Sequence, residues 1–160
     1  SRIGETKFTV LRHTNIYGPY DKFDLERSHV FGATITKVLS ASGDNISVWG
    51  TGEEERDLLY IDDLIHFVDN AIKNQKSLYG LYNVGYGSAV SIKALVKKII
   101  SISGKKLKIE HDLSQPTIKT SLSLNCEKAK NELGWIPKTS LDDGIAKTIS
   151  WWKKNIDNLN

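Results

Sequence analysis

The chain predicts an α/β fold, and three observations carry that prediction. Short apolar runs alternate with longer stretches in which apolar residues recur at helical spacing, the pattern of strands joined by crossover helices. Glycines punctuate the alternation at Gly18, Gly43, Gly50, Gly52, Gly85, Gly87, Gly104 and Gly134. The apolar content of 39% is enough for a packed core, while no stretch approaches the ~20 apolar residues of a membrane span.

Residues 8–11 read as a strand, followed by a turn at Gly18-Pro19 and a polar loop over 12–28. A helix follows over 29–42: Phe31, Ile35, Val38 and Leu39 share one face, with Gly43 ending it. Residues 46–49 read as a strand cut off at Gly50-Thr-Gly52, and Leu58–Ile61 as a second apolar run. Asp62 or Asp63 is expected to cap the next helix, whose buried stripe is Leu64, Ile65, Val68, Ala71 and Ile72. Residues 81–84 form a strand running into Gly85-Tyr-Gly87. Ser91 caps the clearest helix, with Ile92, Leu95, Val96, Ile99 and Ile100 on one face and Gly104 behind it.

Leu107 and Ile109 mark a strand, and 112–121 is aperiodic around Pro116. A short helix runs from Asn125 to about Leu133, stopped by Gly134. Ser140-Leu-Asp-Asp143 is a capping box, opening a last helix with the stripe Leu141, Ile145, Ile149 and Trp152. Beyond Trp152 the chain turns polar and is expected to fray.

The formal net charge is +3. The basic run from Lys97-Lys98 to Lys105–Lys108 reads as a solvated helix end and turn rather than a nucleic-acid stripe. Cys126 is the single cysteine, which excludes an internal disulfide and suits a packing role in a reducing, cytoplasmic protein. His13, His66 and His111 have no metal-ligand spacing with His29 or with one another, so no metal is assigned.

In an α/β protein small molecules sit beyond the carboxyl ends of strands, which draws attention to residues 13–30. Asn15 can donate to and accept from sugar hydroxyls, or simply hold its turn. His29 is either an acid/base imidazole or a plain first residue of a helix. Lys37, about 12 Å further along that helix axis, either reaches a diphosphate or lies solvated at the surface. Arg56 either grips phosphate with its planar fork or pairs with Glu53–Glu55. Trp49 is either core or a ligand platform.

The run Arg12-His-Thr-Asn-Ile-Tyr-Gly-Pro19 resembles a segment of the extended short-chain dehydrogenases acting on nucleotide sugars, the NAD-dependent epimerase/dehydratase family. Val48-Trp-Gly-Thr-Gly52, Arg56–Leu64, Tyr82-Asn-Val-Gly85, Ser91-Ile92, Glu132-Leu-Gly-Trp135, Ser140-Leu141, Gly144 and Trp151-Trp152 follow in that family's order. Thr14-Asn15, Asp21–Asp24 and Ser28-His-Val30 are most similar to its GDP-L-fucose synthase branch.

The resemblance implies that His29 is the acid/base of epimerisation and that Asn15 and Val30 line the sugar site. It also places Lys37, Trp49 and Arg56 at the nucleotide and its phosphates, and Thr14, Asn15 and Ile16 along the nicotinamide of NAD or NADP. It implies a nucleotide-diphosphate sugar as substrate and a homodimer as the assembly, with no nucleic acid or membrane partner. The reaction implied is epimerisation and/or reduction of a 4-keto-6-deoxy sugar. A 4-epimerase, a 4,6-dehydratase and a stand-alone, non-catalytic nucleotide-sugar-binding module are the alternatives.

Two departures stand out. Gln115 and Ser121 occupy positions where the family is usually basic, and Gly32 replaces a common proline, a change expected mainly to cost local rigidity. The glycine-rich dinucleotide loop and the Tyr-x-x-x-Lys pair are absent from the sequence. The expectation is therefore the carboxyl-terminal portion of an extended Rossmann-type enzyme. Residues 1–19 would be a late Rossmann strand and loop, residues 20–160 the substrate lobe, and the NAD(P)-binding domain would lie outside the chain. Such a piece should expose a sheet edge and an apolar face and self-associate.

Overall fold

A computed structural model describes residues 4, 6–115 and 120–156. The elements run β1 (Phe8–His13), β2 (Asn15–Tyr17), α1 (Val30–Ser40), β3 (Asn45–Trp49), β4 (Glu55–Tyr60), α2 (Ile61–Asn74), β5 (Tyr79–Val84), β6 (Ala89–Ser91), α3 (Ile92–Ser103), β7 (Lys108–Asp112), α4 (Glu127–Leu133) and α5 (Leu141–Asn155). β1 pairs in parallel with β5, from Phe8 opposite Tyr79 to His13 opposite Val84. β3 pairs in parallel with β7. β4 is the centre of a third sheet, parallel to β2 and antiparallel to β6.

β4 is also the wall between two cores, because side chains alternate across a strand. Leu58 and Tyr60 face the larger core with Phe31, Ile35 and Val38 of α1, Leu95 and Ile99 of α3, and Ile145, Ile149 and Trp152 of α5. Leu59 faces the smaller one with Phe67 and Ala71 of α2, Tyr82 and Val84 of β5, Leu133 and Trp135. Edge-on packing of Phe67 against Trp135, centroids 5.4 Å apart, anchors that second core.

The cap of α3 and the two glycine stops form as the sequence predicts. Ser91 Oγ accepts the Ala94 N–H at 3.2 Å, and Gly104 and Gly134 turn left-handed at φ 76° and 67°. At α5, Ser140 Oγ accepts the Asp143 N–H at 3.1 Å, while the Asp143 carboxylate takes the Ser140 hydroxyl proton at 2.6 Å in place of a backbone donor. α5 continues to Asn155, three residues past the expected onset of fraying.

Four expectations are corrected. α1 ends at Ser40, not Gly43, because the Lys105 ammonium satisfies its last carbonyls, donating to Leu39 O at 2.7 Å and Ala41 O at 2.8 Å. Neither Asp62 nor Asp63 caps α2, whose N-cap is Tyr60. The Asp63 carboxylate is instead taken by the backbone N–H groups of Lys138 and Thr139, at 3.0 and 2.9 Å. The α2 stripe is buried only in part: Ala71 and Leu64 face the second core, whereas Ile65 is 60% and Ile72 76% exposed and Phe67, outside the stripe, is fully buried. Finally, the polar loop is shorter than expected, since residues 15–17 form β2.

Ile65, Val68 and Ile72 of α2, Phe8 and Val10 of β1, Leu78 and Tyr79 are all exposed apolar side chains. Among the described residues no helix is long and apolar enough to cross a membrane. Lys98 of the basic run pairs with Asp142 at 2.7 Å. Cys126 is half-buried with its sulfur accepting the Gly85 N–H at 3.2 Å, and burial pushes its thiol pKa up.

Gly144 marks where α5 meets β2. A Cβ there would lie 2.1 Å from the hydroxyl oxygen of Tyr17, a core ring 2% exposed and packed on Phe31. Gly144→Ala is expected to cost about 2 kcal/mol through overpacking, read as a lowered urea midpoint at unchanged slope.

Candidate functional site

The loop after β2 descends through Gly18 and Tyr20, both at positive φ, and delivers Ser28 and His29 to the start of α1. His29 is the N-cap, extended at φ −68° and ψ 164°, and its imidazole makes no capping hydrogen bond. The Asp21 carboxyl stands near it. Burial raises the pKa of Asp21, opposed first by the Lys22 N–H bonded at 2.7 Å and then by the charge of His29.

One face of α1, the edge of β3 and the start of β4 enclose a cavity of about 490 Å³. Asn15, His29, Val30, Lys37, Trp49 and Arg56 all line it. Residues far apart in sequence are thus brought to one space. Asn15 Nδ2 donates to Asp57 O at 3.1 Å, which fixes the amide beside the middle of β4. Lys37 Nζ donates to Ser47 O at 3.1 Å and stands 5.9 Å from the Trp49 ring centroid. Trp49 is 56% exposed, so it is not a core residue, and its side chain borders the cavity.

Arg56 Nη1 donates to Glu55 O at 2.8 Å, and to Thr120 through Oγ1 at 2.9 Å and O at 3.4 Å. The guanidinium plane is thereby oriented by backbone and hydroxyl acceptors at the cavity wall. Ser121, where a basic residue was expected, donates its hydroxyl to the Glu55 carboxylate. Residues 116–119 of the same loop, including Pro116, lie outside the described residues.

Thr14 and Ile16 do not line the cavity. Thr14 bridges β5 and β4, its N–H donating to Val84 O at 3.1 Å and its hydroxyl to Asp57 O at 2.6 Å, while Ile16 packs on the second core. Both sit at the carboxyl end of the parallel β1–β5 pair, where α/β folds bind ligands.

Sequence reading missed two polar side chains of the cavity. Ser28 Oγ and Glu54 Oε1 are buried, line it, and have no hydrogen-bond partner among the described residues. Glu54 left no periodic signal because it lies just ahead of β4, two residues before Arg56, and only the cavity both residues line brings them together.

The sequence matches the NAD dependent epimerase/dehydratase family over residues 1–85, more than half the chain. The chain belongs to that family. It is 36% identical over 146 residues to a probable GDP-L-fucose synthase 1 of Oryza sativa subsp. japonica, covering 89% of this chain and 44% of that protein. Among solved structures it is similar to the UDP-glucose 4-epimerase of Thermotoga maritima with UDP-glucose, at 28% identity and TM-score 0.79, covering 94% of this chain and 47% of the other. It is likewise similar to the dTDP-glucose 4,6-dehydratase of Bacillus anthracis in complex with NAD, at 26% identity and TM-score 0.76, covering 95% and 47%. This chain therefore spans about half the length of the relatives it matches.

Proposed function

We propose that the chain is the substrate-gripping part of a cytoplasmic, homodimeric NAD(P)-dependent enzyme that epimerises and/or reduces a nucleotide-linked 4-keto-6-deoxy sugar. On this reading residues 1–19 are a late strand and loop of the dinucleotide-binding domain, and residues 20–160 the substrate lobe. The observation that carries it is the convergence of Asn15, His29, Val30, Lys37, Trp49 and Arg56 on one cavity, which brings an imidazole, an amide and two cations to one space. The 36% identity to the rice GDP-L-fucose synthase favours a guanosine diphosphate carrier.

In this scheme Asn15 and Val30 orient the hexose, and Lys37 and Arg56 neutralise the diphosphate. His29 moves the proton next to the ketone on the face it occupies, a task suited to an imidazole free of any capping bond, and a second proton carrier on the opposite face completes the inversion. The nicotinamide, when bound, supplies hydride transfer at C4. From this chain only Thr14, Asn15 and Ile16, held on β4 by the Asp57 carbonyl, would lie along it.

His29→Gln in the full-length enzyme should abolish solvent deuterium incorporation at the epimerised carbon while nucleotide binding stays within about threefold of wild type. Undiminished incorporation would remove His29 from the chemistry. Gln115, and Ser121 turning to Glu55 where the family is usually basic, favour a carrier other than guanosine diphosphate, and a simple 4-epimerase or 4,6-dehydratase is the second reading. Product analysis with a panel of nucleotide sugars separates the two.

A further inference from the structure

We infer that Glu54 reads the ribose of the bound nucleotide, accepting its 2′- and 3′-hydroxyls, and so selects ribonucleotide carriers over 2′-deoxyribonucleotide ones. This rests on the reading of Arg56 as the phosphate grip.

Glu54 is only 6% exposed, yet its Oε1 has no hydrogen-bond partner among the described residues, and the residue lines the cavity shared by Arg56 and Trp49. A buried carboxylate oxygen left without a donor is costly. A ligand offering donors removes that cost, so binding and burial act in the same direction. An ionised carboxylate only accepts, which restricts the partner to hydroxyl or N–H groups.

Position along β4 decides which part of the ligand meets it. Asn15 lies opposite Leu58 in the β2–β4 register and bonds to Asp57 O, which marks the hexose end. Arg56 lies further towards the start of the strand, and Glu54, two residues earlier and just before the strand begins at Glu55, follows it along the cavity wall. In a nucleoside diphosphate sugar the group one sugar ring beyond the phosphates, away from the hexose, is the ribose. Its vicinal diol matches the two oxygens of a carboxylate, the pairing by which acidic residues read ribose in dinucleotide folds.

The position is also rigid. Glu54 O accepts the Ile92 N–H at 2.9 Å at the start of α3, and Gly52 O accepts the Lys93 N–H at 2.9 Å. Gly52 is left-handed at φ 72°, and a Cβ there would lie 3.1 Å from Lys93 N, so the turn is pinned against α3 on both sides of Glu53. The carboxylate is presented from fixed backbone, as a specificity element requires.

The test is competition binding of GDP, 2′-deoxy-GDP and IDP to the full-length enzyme, as wild type, Glu54→Gln and Glu54→Asp. Wild type should hold GDP at least tenfold more tightly than 2′-deoxy-GDP. Glu54→Gln should close that gap to about threefold by weakening GDP alone, and Glu54→Asp, which keeps the charge, should retain part of it. An unchanged gap in Glu54→Gln, or equal weakening of both nucleotides, overturns the assignment. Narrowing of the GDP-to-IDP ratio instead would make Glu54 a base contact and also overturn it. If wild type binds none of the three nucleotides, the nucleotide reading itself fails and the ribose assignment with it.

Discussion

Asp57→Ala is expected to lower stability by about 4 kcal/mol, the largest loss for any residue bordering the site. Asp57 is 1% exposed in the middle of β4. Its carboxylate accepts the N–H of Tyr86 at 2.9 Å, of Gly87 at 3.2 Å and of Leu124 at 3.0 Å, tying the loop after β5 and the approach to α4 onto the strand. Alanine would leave three partly buried donors unsatisfied at once. The site has been shaped around this group: a Cβ on Gly85 would stand 2.7 Å from Oδ2. Asn15 and Thr14 hang from the carbonyl of the same residue, so a shift of β4 carries into the cavity. Urea unfolding checks the magnitude. Faster hydrogen exchange at Tyr86, Gly87 and Leu124, with other amides unchanged, checks the cause. A loss below about 1 kcal/mol would mean that water replaces the carboxylate readily, and the latch would then be unimportant.

The reach and the limit of sequence reading both show at β4. Leu58–Ile61 is visible as an apolar run, but the strand begins at Glu55 and includes Arg56 and Asp57, charged residues that periodicity assigns to a loop. They belong to the sheet because β6 pairs with them, from Glu55 opposite Ser91 to Asp57 opposite Ala89, and because their side chains have built-in acceptors or donors. β2 and β6 are three residues each, too short to leave a period. The caps of α3 and α5 were legible because a cap is local: a hydroxyl meets an N–H three residues away. Asp63 was not, since the same carboxylate is also open to N–H groups 75 residues distant, and Trp135 donating to its carbonyl at 3.2 Å holds those groups in place. For α2 the periodicity correctly demanded an apolar contact, but a stripe does not say which side is covered by this chain. Ile65 and Ile72 point away from it, and Phe67 points in. The site residues were named by resemblance. Chemistry alone left Asn15, His29, Lys37, Trp49 and Arg56 each with a bland alternative, and what the fold adds is that these five and Val30 share one cavity, which Thr14 and Ile16 do not line.

Gly32→Ala is expected to cost about 3 kcal/mol and to weaken nucleotide-sugar binding by more than tenfold, although a glycine-to-alanine change inside a helix ordinarily stabilises. The expectation that Gly32 merely loosens α1 is reversed by what lies against it. A Cβ at Gly32 would sit 2.2 Å from the carbonyl oxygen of Lys22, a backbone atom that no rotamer change can move. The adjacent Phe23 is 6% exposed in the larger core, stacked on Trp151 at 5.7 Å, and its carbonyl accepts the Thr36 hydroxyl at 2.6 Å. The loop is therefore clamped to α1 on both sides of the contact. Making room for one methyl group requires pulling Phe23 out of the core or tilting α1. Either movement displaces Ser28 and His29, which the same loop delivers to the cavity. Gly43→Ala provides the control, with nothing within 4 Å of its added methyl, and should stay within about 0.5 kcal/mol of wild type. Thermal or urea unfolding of both variants, paired with GDP binding in the full-length enzyme, separates the outcomes. If Gly32→Ala behaves as Gly43→Ala does, α1 and the loop can slide past each other, and the fixed placement of His29 is lost as an argument.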